Sequence, residues 1–219
     1  MQTEKTLSSV WDQHLGAEFA AKDADQAVAT MTSESYVNVV PLMIGARGRD
    51  AVRDFYASHF LSQLPPDIET VPVSRTIGQG QVVDELIIRF THSVHMDWLL
   101  PGVPPTGKRV ELPLVAIIKF EGDKIAHEHL YWDQASVLVQ LDLLDQTLPV
   151  RGGEIAAQVL NPTQPMNELI RRASNTAPGK TSSKAKAQRR RNHDESDALR
   201  VVHRVRKPEA GRGGATSSR

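Results

Sequence analysis

The chain has 219 residues, 26 Lys plus Arg against 26 Asp plus Glu, 40% hydrophobic residues and no cysteine. The lack of cysteine excludes a disulfide scaffold, a thiolate nucleophile and Cys-ligated zinc or iron–sulfur sites, leaving His, Asp and Glu as the chemical vocabulary. The zero net charge conceals a division: Arg171 to Arg219 hold 14 basic residues against 4 acidic ones, an excess of 10, and the preceding residues carry the opposite excess.

Leu7, Trp11, Leu15 and Phe19 recur at i+4 and predict an amphipathic helix from Thr6 to Lys22. Asp23 or Asp25 can cap a second, shorter helix through Met31. Tyr36 to Val40, β-branched and aromatic and ended by Pro41, reads as a short strand. Gly48 to Leu61 places Val52, Phe55, Tyr56, His59 and Phe60 at helical spacing before Pro65-Pro66 stops the pattern.

From there the period changes to two. Ile68 to Ile77 reads as a strand interrupted by Pro72, and Gly78-Gln79-Gly80 turns it into a long strand from Val82 to Met96. The Leu99 to Gly107 loop is expected to expose large apolar side chains. Val110 to Phe120 and Lys124 to Asp133 are the last strands, and Ala135 to Leu144 a closing helix. Helices first and then four long strands without βαβ alternation predict an α+β fold. In it a curved antiparallel sheet wraps around the N-terminal helices and leaves a concave pocket.

Two histidine pairs stand out, His92 with His95 and His127 with His129. Alternation puts His127, His129, Tyr131 and Asp133 on one face of the last strand and Glu128 and Trp132 on the other, and a bulge would shift those faces. If the four-residue face is convex it is merely solvated. If it is concave, Asp133 stands where the strand meets an apolar helix, and burial there would raise its pKa toward a general-base role. His92 shares a face with Leu86, Ile88 and Phe90, as a core histidine or a pocket-lining donor. The HxH spacing also suits a metal, but no firm further ligand emerges beyond His92, Asp84 or Asp133, so none is expected. No dinucleotide fingerprint, phosphate loop, HExxH or GxSxG motif occurs, which leaves non-covalent acid–base chemistry.

The order of elements, the segment from Asp97 through Pro104-Pro105-Thr106-Gly107-Lys108, and above all Glu128-His129-Leu130-Tyr131-Trp132-Asp133-Gln134-Ala135-Ser136 resemble the SnoaL-like polyketide cyclase branch of the nuclear-transport-factor-like, cone-shaped α+β fold. The resemblance implies a conical pocket, a homodimer and cofactor-independent acid–base catalysis on a small apolar, polyketide-like carbonyl substrate. It places the acid–base carboxyl at Asp133, with His92 or His129 competing as the assisting histidine. A substrate would then meet Tyr131, Trp132, Trp98, Leu100, His127, Tyr36 and Phe90. The alternative is a non-catalytic small-ligand-binding or dimerisation module of the same fold.

The expected layout is a cone domain over residues 1–146, a helical extension over 147–172 and a basic disordered tail over 173–219. The tail lacks aromatics, so it is expected to bind polyanions weakly and without sequence specificity, or to act as a nuclear address, or simply to be solvated. No apolar run reaches the roughly 20 residues of a membrane span, and the first residues lack the apolar stretch of a secretory signal, so a cytoplasmic protein is expected.

Overall fold

The computed structural model describes residues 4–176. The predicted first helix is α1 (Glu4–Leu15), which runs on through one wide π-type turn, Gly16–Ala21. Leu7 and Trp11 of its apolar stripe are buried. Asp23 caps α2 (Ala24–Ala29), its side chain accepting from the Gln26 N–H at 3.0 Å. The third helix, α3 (Arg49–Phe55), likewise passes into a π-type turn, Tyr56–Phe60, before a tight turn at Leu61–Gln63.

Six strands form one sheet: β1 (Met31–Val39), β2 (Ile44–Arg47), β3 (Glu69–Gly78), β4 (Gln81–Thr91), β5 (Arg109–Glu121) and β6 (Lys124–Trp132), in the order β2-β1-β6-β5-β4-β3. Burial in β5 alternates without a break from Val110 to Phe120, so one face packs on the helices and the other is half-exposed. The core behind it comprises Trp11, Met31, Val52, Phe90, Leu112, Ile118, Ile125 and Val137, among others. Four differences from the sequence reading bear on the site.

First, the sheet is mixed: β1 lies parallel to β6, with Tyr36 opposite His127 and Val37 opposite Glu128, while the other pairings are antiparallel. Second, β2 was not expected. It has four residues, and Gly45 comes so close to β1 that a Cβ there would sit 1.9 Å from the Val37 carbonyl oxygen. Gly45→Ala is therefore expected to force β1 and β2 apart at a cost of roughly 1–3 kcal/mol, read as a lowered urea midpoint. Third, β4 stops at Thr91 rather than Met96. Fourth, the apolar loop after it is packed inward, with Trp98 2%, Leu99 0% and Leu100 2% exposed.

After β6, α4 (Gln134–Gln140) buries Val137 and Val139. The two helices anticipated in the extension stand at α5 (Glu154–Leu160), which packs on β5, and α6 (Glu168–Thr176). By internal contacts the chain divides at Pro165, α6 belonging to the second unit. The expected tail overlaps α6 at residues 173–176, and its basic cluster lies outside the described residues. Among the described residues no helix is long and apolar enough to cross a membrane.

Candidate active site

Between α1, the α3 segment and the concave face of the sheet lies a cavity of about 450 Å³, within the range of small-ligand sites. Its walls are largely apolar, with Leu15, Phe19, Phe55, Phe60, Leu114 and Leu130 among the lining side chains, and its polar groups fall into two clusters.

The deeper cluster centres on His14, which is fully buried. Its Nε2 lies 3.0 Å from Glu128 Oε1, 3.2 Å from Glu18 Oε1 and 3.3 Å from the Tyr56 hydroxyl. Tyr56 donates to Glu128 Oε1 at 3.2 Å, and the His14 ring stacks on Trp11 at 5.4 Å. Each member arrives by a local feature of the chain. His14 and Glu18 are one turn apart on α1, Glu18 lies inside the first π-type turn, and Tyr56 opens the second. Such turns re-aim side chains and occur often at functional sites. Glu128 comes from β6.

Burial alone would push the His14 imidazole down, but the charges of Glu128 and Glu18 outweigh it and hold the ring up at about 10. Burial raises the Glu18 carboxyl, with the attraction of His14 offsetting only part of that. Burial and the two neighbouring carboxylates also push the Tyr56 phenol well up. Near neutral pH the cluster therefore combines an imidazolium held by carboxylate charge with a neutral phenol.

The second cluster lies nearer the exterior. Asp84, an acid in phase with the buried residues of β4, accepts from Trp11 Nε1 at 2.8 Å and from Arg75 Nε and Nη2 at 2.8 and 2.7 Å. Arg75 Nη1 reaches Asp12 at 2.6 Å and Ser8 at 2.9 Å, tying β3 to α1. Buried on one side and multiply bonded, this ion pair closes the wall of the cavity between helix and sheet.

Of the residues predicted for the site, Trp98 lines the cavity and the others do not. Asp133 is exposed at the N-cap of α4, where it accepts from the Ala135 and Ser136 N–H groups at 2.9 and 3.3 Å; the expected dry carboxyl is not there. His127 and His129 stand on the outer face of the sheet with their rings stacked at 4.6 Å, and His129 Nε2 lies 3.0 Å from the Tyr36 hydroxyl. Burial and then the His129 charge lower the His127 pKa. Tyr131 is 40% exposed on that same face.

Trp132 donates to Gln134 Oε1 at 2.7 Å and sits edge-on to Trp98. Phe90 and Leu100 belong to the core. His92 is buried outside the cavity, its Nδ1 accepting from the Thr106 N–H at 3.3 Å, and burial and then His95 lower its pKa.

The physical reason for the inverted face is a bulge. Phe120 pairs with Ile125 but Lys119 pairs with His127, so Ala126 is an extra residue in β6. Ile125 points into the core, and the bulge then hands the inward face to Glu128 and Leu130 instead of His127 and His129. His14 and Glu18 carried a signal that was missed: at seven and eleven residues after Leu7 they are in phase with its buried stripe, where polar residues need a reason to be.

Among the described residues, His14, Glu18 and Glu128 are the set that could hold a metal ion, each offering an atom within 4.8 Å of the others.

A family model for the SnoaL-like domain matches residues 12–128, just over half of the chain. The chain belongs to the SnoaL-like domain family. Solved SnoaL-like and related structures share its fold. TsrD from Streptomyces laurentii is 16% identical with a TM-score of 0.52, covering 66% of this chain and 100% of that one. A Jannaschia sp. CCS1 protein described as a SnoaL-like polyketide cyclase is 17% identical at 0.51, covering 66% and 99%. AclR from Streptomyces galilaeus is 15% identical at 0.51, covering 87% and 98%. No curated protein sequence matches the chain. The SnoaL-like match begins at Asp12 and ends at Glu128, so it spans the whole deep cluster and stops short of Asp133.

Proposed function

We propose that this SnoaL-like protein is an acid–base enzyme of the cyclase or isomerase kind, acting with its own side chains on a small, largely apolar carbonyl compound. One observation carries the reading: two buried carboxyl groups that line a largely apolar cavity, Glu18 and Glu128, are linked behind its wall through His14 Nε2. Environments that differ around neighbouring titratable groups divide acid from base.

Glu128, which accepts from Tyr56 and His14, is the base and takes the proton from a carbon next to the carbonyl, leaving the C–H electron pair in an enolate. Glu18, the carboxyl whose pKa burial raises, supplies a hydrogen bond or a proton to the developing oxyanion. His14 lies between the two and can pass a proton from one to the other, restoring both for the next turnover. Return of the proton from Glu128 to a different carbon gives isomerisation; attack of the enolate carbon on a second carbonyl gives ring closure, the new alkoxide taking a proton from Glu18 while His14 passes the one on Glu128 back to Glu18. Phe19, Phe55, Phe60 and Trp98 supply flat apolar walls for a ring-containing substrate. The outer face bearing Tyr36, His127, His129 and Tyr131 is the surface a homodimer would cover.

The test is exchange of α-protons in heavy water, followed by proton NMR, over a panel of cyclic and aromatic ketones. Saturable exchange is expected for at least one compound, and it should disappear when Ala116→Phe fills the cavity in a protein of unchanged melting temperature. Ligand binding without exchange across the panel would favour the non-catalytic binding module instead.

A further inference from the structure

The inner half of the His14 ring is held by groups the acid–base scheme does not use. Thr30 closes α2 as its C-cap and is 3% exposed. Its backbone N–H donates to the Ala27 carbonyl at 3.1 Å, and its hydroxyl donates to the same carbonyl at 2.7 Å. With the Thr30 hydroxyl donating to that carbonyl, Oγ1 offers its lone pairs to a further donor.

His14 Nδ1 lies 2.7 Å from Thr30 Oγ1 and 3.1 Å from the Ala27 carbonyl oxygen. The Ala27 carbonyl oxygen can only accept, and Oγ1 accepts while its own proton goes to that carbonyl. A bare Nδ1 would point its lone pair at the carbonyl oxygen, whereas a protonated one donates to both neighbours. The proton that His14 gains and loses must then sit on Nε2, the atom facing Glu128, Glu18 and Tyr56.

We propose that Thr30 is a positioning residue: through the relay from Nδ1–H to the Thr30 hydroxyl and on to the Ala27 carbonyl, it fixes His14 in the Nδ1–H form and reserves Nε2 for the two cavity carboxyls. The relay also holds the ring plane against Trp11, with 15° between the two rings. Thr30 and Ala27 lie outside the cavity lining, so no substrate touches them. The consequence for turnover rests on the acid–base reading above; the fixed tautomer does not.

The experiment uses the full chain with ¹⁵N-labelled histidine and long-range ¹H–¹⁵N correlation spectra from roughly pH 7 to 11, where His14 passes from cation to neutral ring. Wild type and Thr30→Ser are expected to keep Nδ1 protonated when the ring is neutral. Thr30→Val, similar in shape but without the hydroxyl, should lower the His14 protonation constant by about tenfold, one pH unit in the titration midpoint. On any exchange substrate it should cut kcat by about tenfold with KM little changed, and Thr30→Ser should restore both.

A neutral His14 with a bare Nδ1 in the wild type would overturn the proposal, even if Thr30→Val proves unfolded. So would a Thr30→Val protein whose His14 signals and midpoint match the wild type. A shifted tautomer equilibrium with unchanged kcat would instead uphold the role of Thr30 and count against the acid–base reading.

Discussion

Glu128→Gln should still fold and lose about 10³-fold in turnover, the scale of a removed general base. The substitution keeps the shape of the side chain and leaves an amide oxygen to accept from Tyr56 and His14 at their present 3.2 and 3.0 Å. What it removes is the negative charge and the ability to take up a proton. Because the buried imidazolium loses one of its two carboxylate partners and keeps Glu18, the melting temperature should fall while near-UV circular dichroism at room temperature stays that of a folded protein. The companion variant is Asp133→Asn. Asn caps a helix about as well as Asp, and Asp133 is exposed and engaged with the first N–H groups of α4. Full exchange activity is therefore expected from it. The opposite pattern, with Glu128→Gln active and Asp133→Asn dead, would move the chemistry to the end of β6 and sink the cavity assignment.

Stability should fall as pH rises from about 7 to 10, and His14→Gln should remove most of that slope. The folded protein holds the His14 proton up to about 10, against an ordinary value of 6.5. A group that binds its proton more tightly when folded contributes fully below its unfolded value and loses that contribution as pH climbs through the folded one. For His14 the decline spans about 6.5 to 10. Glu18 acts in the same direction, starting from its ordinary 4.5, because burial makes its ionised form unfavourable in the folded chain.

Urea unfolding at closely spaced pH values reads the slope directly. His14→Gln also leaves Glu18 and Glu128 facing each other without a cation, and breaking a buried pair in this way costs roughly 3–5 kcal/mol. The double variant His14→Gln/Glu128→Gln should recover part of that loss, since one of the opposed carboxylates is then gone. A flat wild-type profile would mean that the imidazole is neutral in the folded protein.

The fold was legible because its signals are local and repeated. β5 alternates over eleven residues, α1 carries a four-residue stripe, and Gly and Pro punctuate the strands. The family likeness agrees with the SnoaL-like match, which spans the segment around Trp98 and ends at Glu128, before Trp132. The site was less legible, because its location depends on single residues. Period-two reading from Ile125 carries His127 and His129 inward, and one unpaired Ala126 reverses the result for every side chain after it.

The pairing of β1 with β6 joins residues about ninety positions apart, so no local pattern announces that Tyr36 and His127 share the outer face. Leu99 and Leu100 looked exposed because they sit among turn residues, yet burying them inside a loop satisfies the same apolar demand as burying them on a helix. His14 and Glu18 were within reach of the sequence, as was Asp84: each is a charged or polar residue where a buried stripe required an apolar one.

The two π-type turns make the polar wall of the cavity depend on chain length as well as on side-chain identity. An α-helix advances about 100° per residue, so loss of Gly16 or Ala17, which lie between His14 and Glu18, would rewind the helix and rotate everything on one side of the cut against the other. Glu18 and His14 would then diverge although neither had been mutated. Within a lineage of such cones, a three-nucleotide deletion could exchange a paired acid for an unpaired one in a single event, a change that alignments scored by substitution alone would record as a gap.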